Sequence, residues 1–250
     1  MSTQELAGTT ALVTGASRGF GRGIAISLAK AGASVVAVAR GQAALDDLRA
    51  QSGGDVIPVV ADATDPVVAG RLIAEYKPRT LVLNAGQSPL MHPLDMHTWE
   101  TFSRNWNVDV QHAFHWIRES LLLPLDPGSV VIAMSSGAAL AGSPLSGGYA
   151  GAKSTIRFIA AYAADESARR SLGIRFHSVL PGLSPSTHVG ETGARAYAAR
   201  AGLDYAAFVE RLGPTLTAEQ VGSAFVDLAT DPAYDRPTYR LGPAGLSEVA

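Results

Sequence analysis

Tyr149 and Lys153 stand four residues apart in a stretch, Gly148 to Ala161, whose Ala-rich composition and apolar Ile156, Phe158 and Ile159 predict a helix. Residues at i and i+4 share a helix face, so the spacing sets a phenol beside an ammonium. A nearby cation favours the phenolate. A phenol so placed can exchange a proton with a bound substrate as a general acid or base. Ser136 precedes Tyr149 by thirteen positions and follows the apolar run Ser129 to Met134. A hydroxyl at a strand end can donate to an oxygen on which negative charge builds. Its neighbour Ser135 competes for that role on position alone. The stretch VVIAMSSGAALAGSPLSGGYAGAK, Val130 to Lys153, therefore holds a candidate proton-transfer set.

A second constellation lies near the start, where TALVT runs into Thr14-Gly15-Ala16-Ser17-Arg18-Gly19-Phe20-Gly21. Glycines allow a tight turn and the close approach of a pyrophosphate, and a following helix offers free N–H groups and the positive end of its dipole. The spacing is G-x3-G-x-G.

The elements that must position these residues alternate along the chain. Apolar runs at Thr10 to Thr14, Ser34 to Ala39, Val56 to Ala61, Thr80 to Leu83, Ser129 to Met134 and Gly173 to Leu180 read as six buried strands. Helical patterns separate them. Gly21 to Ala31 is closed by Gly32, and a polar helix spans Gln42 to Gln51. A third helix has Pro66 at its first position and Thr64 or Asp65 as cap. Thr98 to Leu123 is long enough for one helix or two abutting ones. Strand and helix in alternation predict a single-domain, doubly wound parallel α/β sheet with helices on both faces. The core spans about 8–182. An Ala-rich excursion of two short helices follows over about 183–217, and a helix and final strand occupy about 217–250.

Composition excludes several classes of function. The net charge of −2, without a Lys/Arg cluster, argues against a nucleic-acid or anionic-membrane partner. With no cysteine there is no disulfide, thiol nucleophile or Cys-based zinc site. His112 and His115 lack a suitably spaced third ligand, so no metal is expected. The opening MSTQELAG has no basic and apolar leader, and no apolar run reaches the ~18 to 20 residues of a membrane span. A soluble, cytoplasmic protein is the expectation.

Taken in order, Thr14-Gly15-x3-Gly19-x-Gly21, Asn84-Ala85-Gly86, Asn107, Ser136, Tyr149-x3-Lys153 and Pro181-Gly182 resemble the short-chain dehydrogenase/reductase family. The resemblance covers about 8–182 firmly and the rest loosely. It implies a Rossmann fold and hydride transfer between a nicotinamide and a carbonyl or secondary alcohol. In this reading Tyr149 is the general acid/base, Lys153 assists it and holds the nicotinamide ribose, and Ser136, favoured over Ser135 by family spacing, contacts the substrate oxygen. Asn107 supports a water chain from Lys153. The cofactor cradle comprises Gly15, Ser17, Arg18, Gly19, Phe20 and Gly21, then Asn84, Ala85 and Gly86, then Pro181 and Gly182. Asp62 and Ala63 meet the adenine, unless Asp62 serves only a local turn with Thr64. Leu83 departs from the Asn often found before Asn-Ala-Gly. Ser186 or Thr187 contacts the nicotinamide side, with the register left open by Pro185. Tyr239-Arg240-Leu241-Gly242 lacks the family's Gly-Gly pair, which leaves the final strand less secure.

NAD readers carry an acid at the end of the second strand, and this chain has Arg40 there with Arg18 in the turn. Arg pairs bidentately with phosphate, so NADP(H) is expected. The substrate is a small carbonyl or alcohol, and by analogy the chain forms a homodimer or homotetramer. His92, His97 and Trp99 could line its site, and Tyr197, Tyr205 and Phe208 could wall it or anchor the excursion. Two rival readings are a reductase of activated C=C bonds and a dinucleotide-binding sensor without chemistry.

Overall fold

Seven strands of the computed structural model lie parallel: β1 (Thr10–Thr14), β2 (Ser34–Ala39), β3 (Val56–Val60), β4 (Thr80–Leu83), β5 (Val130–Met134), β6 (Arg175–Pro181) and β7 (Thr238–Gly242). The order is β3-β2-β1-β4-β5-β6-β7, with an antiparallel β8 (Gly245–Glu248) at the edge. Residues 5–249 are described; Met1 to Gln4, which open the MSTQELAG segment, and Ala250 lie outside them. The strand order reverses between β1 and β4. At such a switch point the loops leaving the two strands diverge and open a crevice at their C-terminal ends.

Strand side chains alternate between two cores, as β geometry requires. Ala11, Val13, Val35, Ala37, Val82 and Ile132 pack with α1 (Gly19–Lys30), α2 (Gln42–Gln51) and α10 (Ala218–Thr230). Leu12, Val36, Leu81, Val131, Ala133 and Phe176 face the other side. There they meet α3 (Pro66–Tyr76), α5 (Gln111–Leu122) and α7 (Gly147–Arg169). Both faces are apolar, which is why the strands read as continuous hydrophobic runs.

Asp65 caps α3, accepting from the Val67 N–H at 2.8 Å, while Thr64 bonds Asp62 instead. Of the one helix or two abutting ones that Thr98 to Leu123 could hold, the chain forms two, joined by an irregular turn. A short α4 (Trp99–Ser103) gives way to a π-turn at Trp106–Val110 before α5 begins. The helix carrying Tyr149 runs 23 residues, beyond Ala161, because Ala163 and Ser167 are buried in its C-terminal half. A short α6 (Ala138–Ala141) precedes it. The excursion holds α8 (His188–Arg200) and α9 (Tyr205–Leu212) and no strand. The final strand forms without a Gly-Gly pair, since Tyr239 and Leu241 bury their side chains.

Candidate active site

The glycine turn leaves β1 with φ +66° at Gly15 and +54° at Gly19, the left-handed region in which only glycine is unstrained. A Cβ on Gly15 would lie 2.8 Å from the Ala85 Cα, and one on Gly21 would strike the Asn84 amide and the Gly15 carbonyl. The two loops therefore touch backbone to backbone. Asn84 fastens them, its Nδ2 donating to the carbonyls of Thr14 at 3.3 Å and Gly15 at 3.2 Å. Thr14 Oγ1 accepts from the Asn84 and Ala85 N–H groups and lies 3.0 Å from His112 Nε2. His112 is fully buried, and burial, with Lys153 nearby, pushes its pKa down to about 3. It is a neutral brace; no group of three His, Cys, Asp or Glu able to hold a metal exists among the described residues.

Helix α1 opens at Arg18 without a side-chain cap, so the first-turn N–H groups are free for an anion. Above Gly19 the nearest atoms to an added Cβ are those of Thr187, at 3.9 Å. A backbone cradle with room over it fits a dinucleotide pyrophosphate. Ser17 and Phe20 flank it, each partly buried. Arg18 and Arg40 are exposed, and neither has an ion-pair partner among the described residues. Asp62 Oδ1 accepts from the Thr64 N–H and hydroxyl at 2.9 and 2.8 Å; these bonds, helped by Arg40, hold its carboxyl below the usual range. Next to it, the Ala63 carbonyl accepts from buried Trp116 Nε1 at 2.8 Å, which fixes that loop over the sheet.

Across the crevice, β5 delivers its two serines to opposite tasks. Ser135 is buried and donates to the Lys153 carbonyl at 2.8 Å, tying the strand end to α7. Ser136 is partly exposed, and its oxygen accepts only from the Ala138 N–H, at 3.2 Å. Tyr149 and Lys153 share one face of α7, with the ammonium 5.5 Å from the ring centroid. Lys153 Nζ donates to the Met134 carbonyl at 3.1 Å and pairs with Asp109 Oδ2 at 3.3 Å.

Asp109 was not among the residues expected from sequence, yet it is Asp109, two residues beyond Asn107, that pairs with Lys153. Asn107 is exposed on the π-turn, with its side chain making no hydrogen bond among the described residues. A π-turn takes in one residue more than an α-turn and rotates the side chains after it. On the turn itself Asp109 is buried, and its Oδ1 accepts from the Gln87 N–H at 2.8 Å. Asn105 joins the network by donating to the Gln87 carbonyl at 2.7 Å. The one signal in the sequence was an acid flanked by Val108 and Val110. Burial pushes the Asp109 pKa up, with Lys153 pulling the other way. For Lys153 burial opposes the charge, but Asp109 and Tyr149 outweigh it and hold the pKa above the ordinary lysine value.

Pro181 ends β6 and Gly182 is exposed at its tip. Between the two candidates beyond it, Thr187 approaches Gly19 and caps α8, while Ser186 Oγ turns away to the Leu216 carbonyl at 3.1 Å. Gly86 is exposed beside Asp109, whose carboxylate would lie 3.2 Å from an added Cβ. Tyr197 anchors the excursion through a short hydrogen bond to Ser143, and Tyr205 stacks under Arg195. The loop bearing His92 is fastened to the Leu145 carbonyl at 2.8 Å, which keeps it beside the Tyr149 helix; Trp99 is exposed.

A family model described as short chain dehydrogenase matches residues 9–196. The hydroxynaphthalene reductase-like protein Arp2 of Metarhizium guizhouense is 33% identical over 190 residues, which are 72% of this chain and 69% of that protein. Versicolorin reductase 1 of Aspergillus parasiticus is 33% identical over 187 residues, 71% of this chain and 70% of its own. Among solved structures, a putative NAD(P)-dependent gluconate 5-dehydrogenase from Beutenbergia cavernae with bound NADP superposes at TM-score 0.79 and 30% identity, covering 94% of this chain and 95% of that one. An NAD+-bound xylitol dehydrogenase reaches TM-score 0.83 over 95% and 98% of the two chains; at 19% identity it speaks to the fold alone.

Proposed function

The chain belongs to the short-chain dehydrogenase family of oxidoreductases, which bind a nicotinamide dinucleotide, and we propose that it is a cytoplasmic, single-domain enzyme that uses NADP(H) to interconvert a carbonyl and a secondary alcohol. The observation that carries this reading is the Lys153 ammonium 5.5 Å from the Tyr149 ring centroid on α7, with the partly exposed Ser136 hydroxyl just past the end of β5. Bound in the crevice, the nicotinamide supplies or takes up the hydride. Tyr149 gives its phenolic proton to the substrate oxygen during reduction and takes it back during oxidation. Ser136 donates a hydrogen bond to that same oxygen and stabilises the charge developing on it. Lys153 favours the phenolate by its charge. Gly15, Gly19 and Gly21 hold the pyrophosphate on backbone N–H groups, and Thr187 closes over it.

The unpaired guanidinium groups of Arg18 and Arg40 support the choice of NADP(H), because a 2′-phosphate supplies the bidentate acceptor each lacks. Zero cysteines and the absence of a described helix able to cross a membrane agree with the proposed compartment. Self-association has its own support. Phe114 and Leu122 on α5 and Tyr162 on α7 are exposed large apolar side chains lining a cavity of 490 Å³, and exposed Phe158 stacks on Tyr162 beside it. Such a face matches a homodimer or homotetramer made by packing like helices.

The test follows NADPH absorbance over a panel of small ketones and secondary alcohols with the wild type, Tyr149→Phe and Arg40→Ala. Tyr149→Phe should lose turnover by at least ~100-fold and still quench NADPH fluorescence on binding. Retained turnover would remove Tyr149 from the chemistry. Arg40→Ala should erase most of the preference for NADPH over NADH, and an unchanged preference refutes the assigned cofactor.

A further inference from the structure

The contact between Asp109 and Lys153 has no part in the reaction as described so far. It is buried almost completely, with side-chain exposures of 1% and 6%, and three features of the chain are spent on making it. The first is the π-turn at Trp106–Val110, an irregularity in a segment whose neighbours are α-helical. The second is a set of glycines on α7. Gly148 packs so closely that an added Cβ would collide with the Phe102 carbonyl, and Gly151 lies against the Trp106 ring, whose Nε1 donates to the Gly148 carbonyl at 3.1 Å. The third is the bare Gly86, beside which the carboxylate sits. One oxygen of Asp109 is satisfied by the Gln87 N–H. The other faces the Lys153 ammonium at 3.3 Å.

We propose, on the footing of the proton-transfer role given above to Tyr149, that Asp109 is a positioning residue: its carboxylate holds Lys153 against the Met134 carbonyl and offsets the ammonium charge felt by the phenol. The groups facing Lys153 are few. Tyr149 comes from its own helix, Asp109 from the π-turn, and His112 from α5. From β5 comes only the Met134 carbonyl. His112 is neutral, since its pKa is about 3, so Asp109 is the carboxylate that sets the charge of the pocket. A negative charge a few ångströms away resists the loss of any further proton from the cluster. The cluster therefore loses its first proton at a higher pH with the carboxylate than with a neutral group in its place. With the carboxylate ionised, that sign is the same whether Tyr149 or Lys153 gives up the proton, because the two coupled groups titrate as a unit.

Asp109→Asn keeps the size and removes the charge. In the oxidative direction, the limb of the pH–rate profile that rises with deprotonation should move down by roughly 1 to 3 pH units. The same displacement should appear without cofactor, as tyrosinate absorbance of the apoprotein read as a difference from Tyr149→Phe. Asp109→Ser provides a second neutral side chain should the amide fail to fold, and Asp109→Glu should restore most of the wild-type profile. A folded neutral variant with an unmoved limb and an unmoved tyrosinate signal would overturn the proposal. The underlying reading fails separately, by Tyr149→Phe turning over normally.

Discussion

Gly148→Ala tests how closely α7 must approach the π-turn for the site to exist. The new methyl would meet the Phe102 carbonyl oxygen in collision, its carbon at 2.9 Å and its Cα at 3.3 Å. The first obstacle is backbone inside a helix, not the end of a flexible side chain, so α7 has to move away. Relief of the clash requires a shift on the order of 1 Å, and a reacting group misplaced by that much loses about 100-fold in rate. Overpacking costs roughly 1 to 3 kcal/mol, which for a chain of this size lowers Tm by about 2 to 12 °C. Gly242→Ala is the control, since nothing lies within 4 Å of its added Cβ. Both variants are followed by circular dichroism melting and by kcat/KM at saturating NADPH. A Gly148→Ala protein that melts and turns over like the control would refute the claim that this contact positions Tyr149 and Lys153.

Acid stability and self-association offer further checks. Burial holds His112 at about 3 and His177 at about 4, each below the 6.5 of an unfolded histidine. Their contribution is fully present above pH ~6.5 and is lost as the pH falls toward the folded values, because only the unfolded chain takes up those protons. By about pH 5 the loss is roughly 2 kcal/mol for each. Urea midpoints that do not fall between pH 7 and pH 5 would contradict it. Phe158→Glu places a charge on the exposed face whose rings Phe158 and Tyr162 stack at 6.3 Å. Sedimentation should show a smaller species than wild type, and a wild type already monomeric would dispose of the proposed interface.

Much of this architecture was legible without coordinates. Strand runs such as Ser34–Ala39 and Thr80–Leu83 announce themselves because strands buried on both faces allow no polar alternation. The glycine turn and the Tyr149/Lys153 pair could be read from spacing, since both depend on local geometry: a turn with positive φ, and two side chains one helical turn apart. Ser136 was distinguished from Ser135 only by family spacing; the fold supplies the physical reason, in that Ser135 is consumed by the Lys153 carbonyl.

What the sequence determined by itself is thus the set of things written in short-range periodicity: the alternation of elements, the cradle at the first turn, and a phenol and an ammonium on one face. The choice of Asp109 over Asn107 was made only by the tertiary structure. A regular helix from Thr98 onward is the simplest pattern for those residues, and nothing in their order marks the π-turn. It exists where α7, made thin by Gly148 and Gly151, lies close enough for a buried ammonium to need a carboxylate. The same holds for the sides taken by Thr187 and Ser186: Thr187 lies over Gly19, while Ser186 Oγ donates to the Leu216 carbonyl. Contacts between segments far apart in the chain depend on packing distances, and those are properties of the folded whole.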